Sequence, residues 1–464
     1  MLGKVFKAYD VRATYPRPLN EKVAWQIGYA TAEHIIEKAQ DVGRMDPMAR
    51  HIVVGRDMRL SSPALFEALT DGIRDAGGHV IDVGLVDTPF IYFAINHLDA
   101  AGGVQVTASH NPANYNGFKI SGLGAKPIGS DSGLDDIRHA AALANRERIE
   151  PRGGRIESRD LWSAYRDWLL EKMDPSLLDG SRKLKVVIDA SNGMAGCMVP
   201  KVFGEVKGLE IIPIHFETDG TFVHEPNPLV EKNLQWTRDA VIKHGADFGA
   251  CFDGDADRCM VVDERGEIVG CDMLLAWWVG RVIGNQPGAP IVYDLRSSRA
   301  VREAIEVAGG QPVESRVGHV FMKAALAKAG APMGGELSGH FYFGDAFGTD
   351  NGARAFIETC NQLVAADQTM SACIAPHDRY PRTGEINFTV EDTEQAMAAL
   401  SAMFPDAERT ELDGISLDAG DWWCNVRSSN TEPLLRLNLE AREPHILETT
   451  LEAFKGVLGK PVDH

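Results

Sequence analysis

The strongest constraint on how this chain folds is a pattern that recurs along most of its length. A short apolar run leads into a polar or glycine-rich loop, and a stretch of helical periodicity follows. Such runs are typical of βα units, whose parallel strands are buried on both faces. They occur at 51–54, 103–106, 185–188, 248–252, 290–293 and 313–315. Because the carboxyl ends of parallel strands share an edge of the sheet, we expect the polar residues after these runs to form one site.

The pattern is interrupted near 150–155, 264–266 and 375–378. A chain of 464 residues is also too long for one hydrophobic core, and its length predicts three or four domains. After the last interruption the pattern changes to alternating strands with two helices. We therefore expect three α/β domains with mixed, mostly parallel sheets and a C-terminal α+β domain. Their expected bounds are 1–152, 153–264, 265–374 and 375–464. Periodicity predicts helices over 158–172, 299–307 and 393–403.

The formal net charge of −19 excludes non-specific binding to nucleic acid or to an anionic membrane, since both require a basic surface. The seven cysteines are odd in number and form no Cys-x-x-Cys pair, so they are expected to be reduced. The N-terminus lacks the apolar segment of a signal peptide. These features predict a cytoplasmic protein.

Ser109 stands in a polar segment directly after an apolar run, where its hydroxyl would be accessible. His110 is adjacent, and Lys119 follows in the same segment. An ordinary turn would have a similar composition, because Ser, Asn, Pro and Gly favour turns. A serine hydrolase is disfavoured, because Thr107 and Asn111 occupy the positions of the glycines in the Gly-x-Ser-x-Gly elbow.

Asp253, Asp255 and Asp257 alternate directly after another apolar run. Three carboxylates this close repel each other, so a hard cation such as Mg²⁺ is the expected partner. A solvated acidic turn is disfavoured by the apolar segments on both sides. An EF-hand calcium loop is disfavoured because Arg258 occupies the position that requires glycine.

Glu336, Ser338 and His340 alternate in a glycine-rich segment. Glycine lets a loop approach a ligand closely, and these three polar groups suit neighbouring sugar hydroxyls. A polar hairpin would look similar.

Arg427 begins a polar segment between two strand-like runs. One fixed cation with hydroxyls, an amide and free backbone N–H groups makes a phosphate cradle. The polar residues in question are Ser429, Asn430 and Thr431. A serine- and asparagine-rich turn is the alternative.

Smaller charged groups recur at other loop positions, and each alone is more typical of a surface. Together they would supply the local positive charge that an acidic protein needs to bind a phosphate ester. They are Tyr9 with Arg12, Arg56 with Asp57 and Arg59, Arg296 with Arg299, and His319 with Lys323.

The four main loops are the segments that contain Ser109, Asp253, Glu336 and Arg427. Together they resemble the α-D-phosphohexomutase family, and most closely its phosphomannomutase/phosphoglucomutase branch. The resemblance extends over nearly the whole chain and in family order. It implies four domains around a central cleft, each contributing one loop. It also implies that hexose 1-phosphates and hexose 6-phosphates of mannose, glucose or both are interconverted through a phosphoserine and a hexose 1,6-bisphosphate, which also serves as activator.

The resemblance implies a role for each matching residue. Ser109 would carry the phosphoryl group and, with Asp253, Asp255 and Asp257, hold one Mg²⁺ per chain. His110, Lys119 and His319 are the candidates for proton transfer, and Arg258 would steady the phosphoryl group. The substrate-binding residues would be Tyr9, Arg12, Arg296, Glu336, Ser338, His340, Arg427, Ser429, Asn430 and Thr431.

Three positions qualify the resemblance. Ala13 replaces a frequent glycine, and Arg296 replaces a frequent lysine, so Arg296 is expected to bind phosphate or hydroxyl groups rather than transfer protons. Leu337 favours mannose and glucose phosphates over a phosphoglucosamine mutase activity, which stays open as an alternative. A Mg²⁺-dependent sugar phosphatase and a calcium- or sugar-binding module are further alternatives. We expect a monomer or homodimer that binds hexose phosphates.

Overall fold

The computed structural model describes residues 2–428 and 434–462. The chain divides into two compact units. The first contains the residues up to Gly270 together with Ser338–Ser371. The second contains Cys271–Leu337 and the residues from Ala372 onward.

The first sheet of the first unit has six strands. The last four strands in the spatial order given next are parallel to one another. In spatial order the strands are Val11–Thr14, Tyr115–Ser121, Gly102–Val106, His51–Arg56, His79–Leu85 and Ile156–Ser158. Tyr115–Ser121 runs antiparallel to both of its neighbours. Ile52, Val53 and Val54 are fully buried, as expected for a strand covered on both faces.

The helices of this region are Glu21–Asp41, Ser62–Asp75, Thr88–His97 and Leu134–Leu143. The first two cross in close contact because each has a glycine at the crossing point. A methyl group at Gly28 would lie 2.1 Å from the carbonyl oxygen of Leu69, and one at Gly72 would lie 2.1 Å from that of Trp25. Only glycine permits this approach.

The second sheet of the first unit has five strands. In spatial order they are Ile268–Val269, Cys259–Asp263, Phe248–Phe252, Leu184–Asp189 and Leu209–Ile214. The last three are parallel, and the first two continue the sheet antiparallel. Its helices are Trp162–Leu170, Pro175–Asp179, Ala195–Phe203 and Gln235–His244.

The segment Ser338–Ser371 is packed into the first unit by an almost wholly buried helix, Gly352–Ala366. The ring of Phe356 lies 5.1 Å from that of Phe203 and 5.9 Å from that of Phe248. The segment also contains the antiparallel strands Phe341–Phe343 and Thr349–Asp350. This packing fixes Ser338 and His340 in the first unit.

The second unit begins with three parallel strands and three helices. The strands are Gln311–Ser315, Pro290–Asp294 and Met333–Gly335, in spatial order. The helices are Cys271–Asn285, Arg299–Val307 and His319–Ala329. The short helix Met370–Ile374 contains the chain junction between the two units.

The C-terminal region of the second unit is an antiparallel sheet with two helices. Its strands are Glu408–Thr410, Ile415–Asp418, Trp422–Ser428, Leu434–Ala441, Arg382–Thr389 and Pro461–Val462, in spatial order. The helices Thr393–Met403 and Pro444–Leu458 cover a core that includes Leu435, Leu437 and Leu439.

The predicted fold class is confirmed: α/β regions with mixed, mostly parallel sheets precede a C-terminal α+β region. The helices predicted over 299–307 and 393–403 are found with these bounds. The helix predicted over 158–172 is shorter, because Ser158 ends a strand and the Asp160 carboxylate accepts the backbone N–H of Trp162, where the helix begins. Within residues 2–428 and 434–462, no helix is both long and apolar enough to cross a bilayer.

Candidate active site

Ser109 lies in the loop that leaves the strand Gly102–Val106. Its backbone adopts a left-handed conformation with φ of 50°, which is uncommon for a residue other than glycine. Its backbone N–H donates a 2.9 Å hydrogen bond to the Thr107 hydroxyl. The residue is only 1% exposed. Its hydroxyl is therefore held in one place rather than displayed on a free turn.

Arg59 stabilises this loop through hydrogen bonds. Its side chain is fully buried and pairs with Asp57, whose carboxylate accepts a 3.1 Å hydrogen bond from Arg59 Nε. The two terminal nitrogens donate hydrogen bonds of 2.6–3.1 Å to four backbone carbonyl oxygens, those of Ser109, Asn111, Pro112 and Tyr115. Arg59 therefore fixes the path of the backbone on which Ser109 depends.

Asp253, Asp255 and Asp257 follow the strand Phe248–Phe252, and each is at most 1% exposed. Their carboxylates converge, with one oxygen of each lying within 4.8 Å of the others. The Ser109 hydroxyl donates a 2.8 Å hydrogen bond to Asp253 Oδ2. The two loops predicted from sequence therefore meet, although they are far apart along the chain.

The donor set of this cluster fits a divalent cation. Burial, together with Asp257 and Asp255, raises the pKa of Asp253 well above its usual range. The Oδ1 atoms of Asp255 and Asp257 are buried and have no hydrogen-bond partner among the described residues. Oxygen-only ligands, two of them with a buried oxygen that accepts no hydrogen bond among the described residues, suit a hard ion such as Mg²⁺.

Lys119 lies on the strand Tyr115–Ser121 and reaches this cluster. Its Nζ lies 2.7 Å from Asp255 Oδ2 and 2.5 Å from Asp257 Oδ2. Burial acts to lower the pKa of the ammonium, but the two carboxylates raise it above its ordinary value. Lys119 is thus positively charged where it contacts the aspartates.

His110 lies on the other side of the serine, with Nδ1 3.2 Å from Ser109 Oγ. Burial and the nearby cations Arg258 and Arg12 hold the pKa of this imidazole well below its usual range. Arg12 donates a 2.7 Å hydrogen bond to the Asn111 side-chain oxygen. Tyr9 lies half-buried, shortly before Arg12.

Arg258 connects the aspartate cluster to Ser338 and His340. Its Nε donates to His340 Nε2 at 3.3 Å, and its backbone N–H donates to Asp253 Oδ1 at 3.2 Å. His340 Nδ1 lies 2.9 Å from the Ser338 hydroxyl, and its Nε2 lies 3.4 Å from Asp257 Oδ1. Arg258 Nη1 is buried with no hydrogen-bond partner in the described chain, so it can take up an anion.

In the second unit, Glu336 is 2% exposed and accepts the backbone N–H of Gly318 at 2.8 Å. His319 follows directly and begins the helix His319–Ala329. The contact joins the predicted sugar loop to the loop of the candidate proton-transfer residue.

Arg296 and Arg427 share the carboxylate of Glu385. Arg427 Nη2 donates to Glu385 Oε2 at 2.8 Å, and Arg296 Nη1 lies 3.6 Å from the same oxygen. Arg296 also donates a 2.7 Å hydrogen bond to Asp294 Oδ2. Burial acts to raise the pKa of Glu385, but the arginines hold it below its ordinary value. The remaining residues of this predicted phosphate loop, Ser429, Asn430 and Thr431, lie outside the described residues.

Each unit thus gathers part of the predicted set. The first contains Tyr9, Arg12, Ser109, His110, Lys119, Asp253, Asp255, Asp257, Arg258, Ser338 and His340. The second contains Arg296, His319, Glu336 and Arg427. Sequence reasoning missed the roles of Arg59 and Glu385. The Gly-Arg-Asp-Met-Arg segment after a strand was the available signal for Arg59, but it suggested surface charge.

The chain is similar to known proteins over most of its length. Models of domains I, II and III of phosphoglucomutase/phosphomannomutase, each described as alpha/beta/alpha, match residues 3–143, 164–266 and 271–380. The model of the C-terminal domain of the same proteins matches residues 385–456.

Individual relatives cover almost the whole chain. A protein named "Phosphohexose mutases" from Xanthomonas campestris pv. campestris strain B100 is 40% identical over 458 residues, 98% of each chain. The "Phosphomannomutase" of Escherichia coli K12 is 38% identical over 450 residues, 94% of each chain. A crystal structure of a phosphoglucomutase/phosphomannomutase family protein from Burkholderia thailandensis superposes with a TM-score of 0.87 at 32% identity, covering 99% of this chain and 98% of the other.

Proposed function

This chain belongs to the phosphoglucomutase/phosphomannomutase family, and we propose that it interconverts hexose 1-phosphates and hexose 6-phosphates through a phosphorylated Ser109 and a hexose 1,6-bisphosphate. It is an intramolecular phosphotransferase. The observation that supports the serine route most directly is the 2.8 Å contact between Ser109 Oγ and Asp253 Oδ2, inside a buried cluster of three carboxylates.

Ser109, Asp253, Asp255 and Asp257 would hold one Mg²⁺ per chain. Bound there, the ion would offset the negative charge of the phosphoryl group during transfer. The unsatisfied Oδ1 atoms of Asp255 and Asp257 support this assignment.

The transfer begins with phosphate on Ser109 Oγ. A substrate hydroxyl oxygen bonds to phosphorus while the bond from phosphorus to Ser109 Oγ breaks, and the hydroxyl proton passes to the protein. The bisphosphate then reorients and returns its other phosphoryl group to Ser109. Arg59 and the Thr107 hydroxyl keep the serine oxygen in line throughout, and the buried Nη1 of Arg258 is available to the phosphoryl oxygens.

The candidates for proton transfer are His110, Lys119 and His319. His110 Nδ1 is within reach of the proton at Ser109 Oγ, at 3.2 Å. Lys119 Nζ contacts Asp255 and Asp257, which belong to the same carboxylate cluster as Asp253, the partner of the Ser109 hydroxyl. General acid–base groups need this kind of placement before their pKa matters.

Substrate recognition falls to two sets of side chains. Glu336, Ser338 and His340 would bind sugar hydroxyls. Tyr9 and Arg12 would face the substrate. The remaining phosphate would be bound by Arg427, Ser429, Asn430 and Thr431, and Arg296 would bind phosphate or hydroxyl groups. Glu385 orients two of these arginines. The name phosphomannomutase carried by relatives supports mannose phosphates as the first candidate substrate of this chain, and glucose phosphates are the second candidate.

We also propose the domain bounds 1–152, 153–264, 265–374 and 375–464, a cytoplasmic location and a monomeric or homodimeric state. The seven cysteines are all unpaired, and six of them are buried, in keeping with a reducing compartment. Hexose phosphates are the partners of this protein in the proposal.

The test is a set of parallel coupled assays with mannose 1-phosphate, glucose 1-phosphate and glucosamine 1-phosphate, each with Mg²⁺ and a trace of bisphosphate. Ser109→Ala should reduce turnover by orders of magnitude, whereas the exposed Ser181→Ala should retain it. Full activity of Ser109→Ala would refute the serine route. Release of inorganic phosphate in proportion to substrate loss would instead indicate a phosphatase, and preference for glucosamine 1-phosphate would overturn the assigned sugar.

A further inference from the structure

Three potential metal ligands meet at the carboxyl ends of two strands of the second sheet of the first unit, outside the aspartate cluster. Asp189 ends the strand Leu184–Asp189, and His215 directly follows the neighbouring parallel strand Leu209–Ile214. His224 comes from the loop after it. The Asp189 side chain is fully buried, that of His224 is 2% exposed, and that of His215 is 14% exposed. One ligand atom of each lies within 4.8 Å of the others.

The distances from Asp189 to the two imidazoles are close to those between ligand atoms that share one metal ion. His215 Nδ1 lies 3.0 Å from Asp189 Oδ1, and His224 Nε2 lies 3.4 Å from Asp189 Oδ2. Ligands at about 2.0–2.1 Å from a tetrahedral Zn²⁺ are separated from each other by roughly 3.3 Å. The two separations from Asp189 lie close to this value, and one nitrogen of each imidazole lies within 4.8 Å of the other.

The contacts of His224 favour a positive charge beside Asp189. Its Nδ1 lies 2.8 Å from the backbone oxygen of Glu225, which can only accept, so Nδ1 carries the proton. In the neutral ring, Nε2 is then a bare lone pair that faces the Asp189 carboxylate. Nε2 is buried and has no hydrogen-bond partner within the described part of the chain. With the ring neutral, two electron-rich groups would face each other at 3.4 Å, so a positive charge belongs between them, either a proton on Nε2 or a metal ion.

We propose that Asp189, His215 and His224 bind a divalent transition-metal ion of the Zn²⁺ class. Two imidazoles and one carboxylate select such an ion over Mg²⁺, which prefers oxygen ligands alone. The contact of His224 Nδ1 with a backbone carbonyl is the usual outer support of a metal-binding histidine. The Asp189 carboxylate is supported in turn by the backbone N–H of Ser191 at 2.9 Å and the Thr237 hydroxyl at 3.2 Å.

The ion would have a structural role in this proposal. It would tie the 215–224 loop to the sheet whose next strand, Phe248–Phe252, leads into the aspartate cluster. The backbone N–H of Met194 also donates to the carbonyl oxygen of Gly254 at 2.9 Å, so the segment after Asp189 supports the aspartate loop directly. Binding that favours the folded state raises stability by mass action.

The test uses the full-length protein, stripped with EDTA and dialysed against Zn²⁺ in the presence of excess Mg²⁺, which occupies the aspartate cluster. Bound zinc is measured by elemental analysis. We expect about one zinc per chain in the wild type, in the Asp253→Asn variant and in the control His244→Gln, whose histidine is exposed. His215→Gln and His224→Gln should each lose it. X-ray absorption at the zinc edge of the wild type, which needs no variant, should show scattering from two imidazoles.

The proposal is overturned if the wild type retains no zinc against Mg²⁺, or if His224→Gln retains as much as the wild type. It is equally overturned if the absorption spectrum shows no imidazole, because zinc would then occupy an oxygen site. In the first case a proton on His224 Nε2 supplies the charge, and the pair with Asp189 is an ion pair. The proposed mutase reaction does not require zinc at these residues, so the two proposals fail separately.

Discussion

Replacing Arg59 by methionine removes the support of the serine loop while keeping a side chain of similar length. The buried guanidinium donates five side-chain hydrogen bonds, four of them to loop carbonyls and one to Asp57. Breaking a buried ion pair costs about 3–5 kcal/mol, because the remaining charge stays uncompensated. The left-handed backbone of Ser109 depends on this loop, because conformations of that kind cost about 1–3 kcal/mol and persist only where surrounding contacts enforce them.

We expect Arg59→Met to destabilise this region by about 3–5 kcal/mol locally and to lower kcat about a hundredfold, the scale of a misplacement of about 1 Å at a reacting group. Hydrogen–deuterium exchange should show lost protection over residues 107–117, whereas exchange in the C-terminal sheet should be unchanged. Arg59→Lys keeps the charge but has fewer donors, so an intermediate loss is expected. The exposed Arg148→Met is the control. Activity of Arg59→Met within about threefold of wild type, with unchanged exchange, would refute this account.

Three further outcomes are expected. Asp255→Asn removes a cluster ligand and should raise the Mg²⁺ concentration for half-maximal activity at least about tenfold; an unchanged Mg²⁺ titration would count against the metal site. Glu385→Gln frees Arg427 and should raise KM for the hexose phosphate about tenfold with little change in kcat, the scale of one charge-assisted hydrogen bond; a loss confined to kcat would contradict this role. Burial raises the pKa of Asp87 to about 7, although the Tyr165 hydroxyl donates to it. Its unfolded pKa is about 3.9, so the folded state binds the extra proton between these values, and stability falls as pH rises from about 4 to 7. The fall amounts to at most about 4 kcal/mol, and Asp87→Asn should flatten it in thermal unfolding measured at pH 5 and pH 8; an identical slope in the variant would exclude Asp87 as its cause.

The four main loops could be predicted because each is a compact motif placed after an apolar run. Ser109, the aspartates and Arg258 needed no knowledge of distant contacts to be singled out. Each of these loops follows the carboxyl end of a strand, as expected, but the two strands belong to different sheets. The packing of one sheet beside the other therefore brings Ser109 to Asp253, and strand order alone does not predict it.

The supporting residues could not be predicted because their roles depend on long-range packing. In the sequence Arg59 resembles a surface charge. Only the folded structure shows that it donates hydrogen bonds to four carbonyl oxygens of a loop that lies 50 or more residues away along the chain. Glu385 lies on an alternating strand, and only the tertiary structure brings Arg296 and Arg427 to its carboxylate. Asp189 and His215 are aligned by the register of two parallel strands, which the sequence does not specify.

The most direct test of the central claim follows one phosphoryl group through Ser109. The wild type is incubated with hexose 1,6-bisphosphate labelled in its phosphates, separated from free label and analysed by peptide mass spectrometry. We expect label on the peptide containing Ser109, none on that peptide in Ser109→Ala, and transfer of the label to both hexose monophosphates when unlabelled hexose 1-phosphate is added. Label on another residue, or label that leaves only as inorganic phosphate after the sugar is added, would contradict a mutase that works through Ser109.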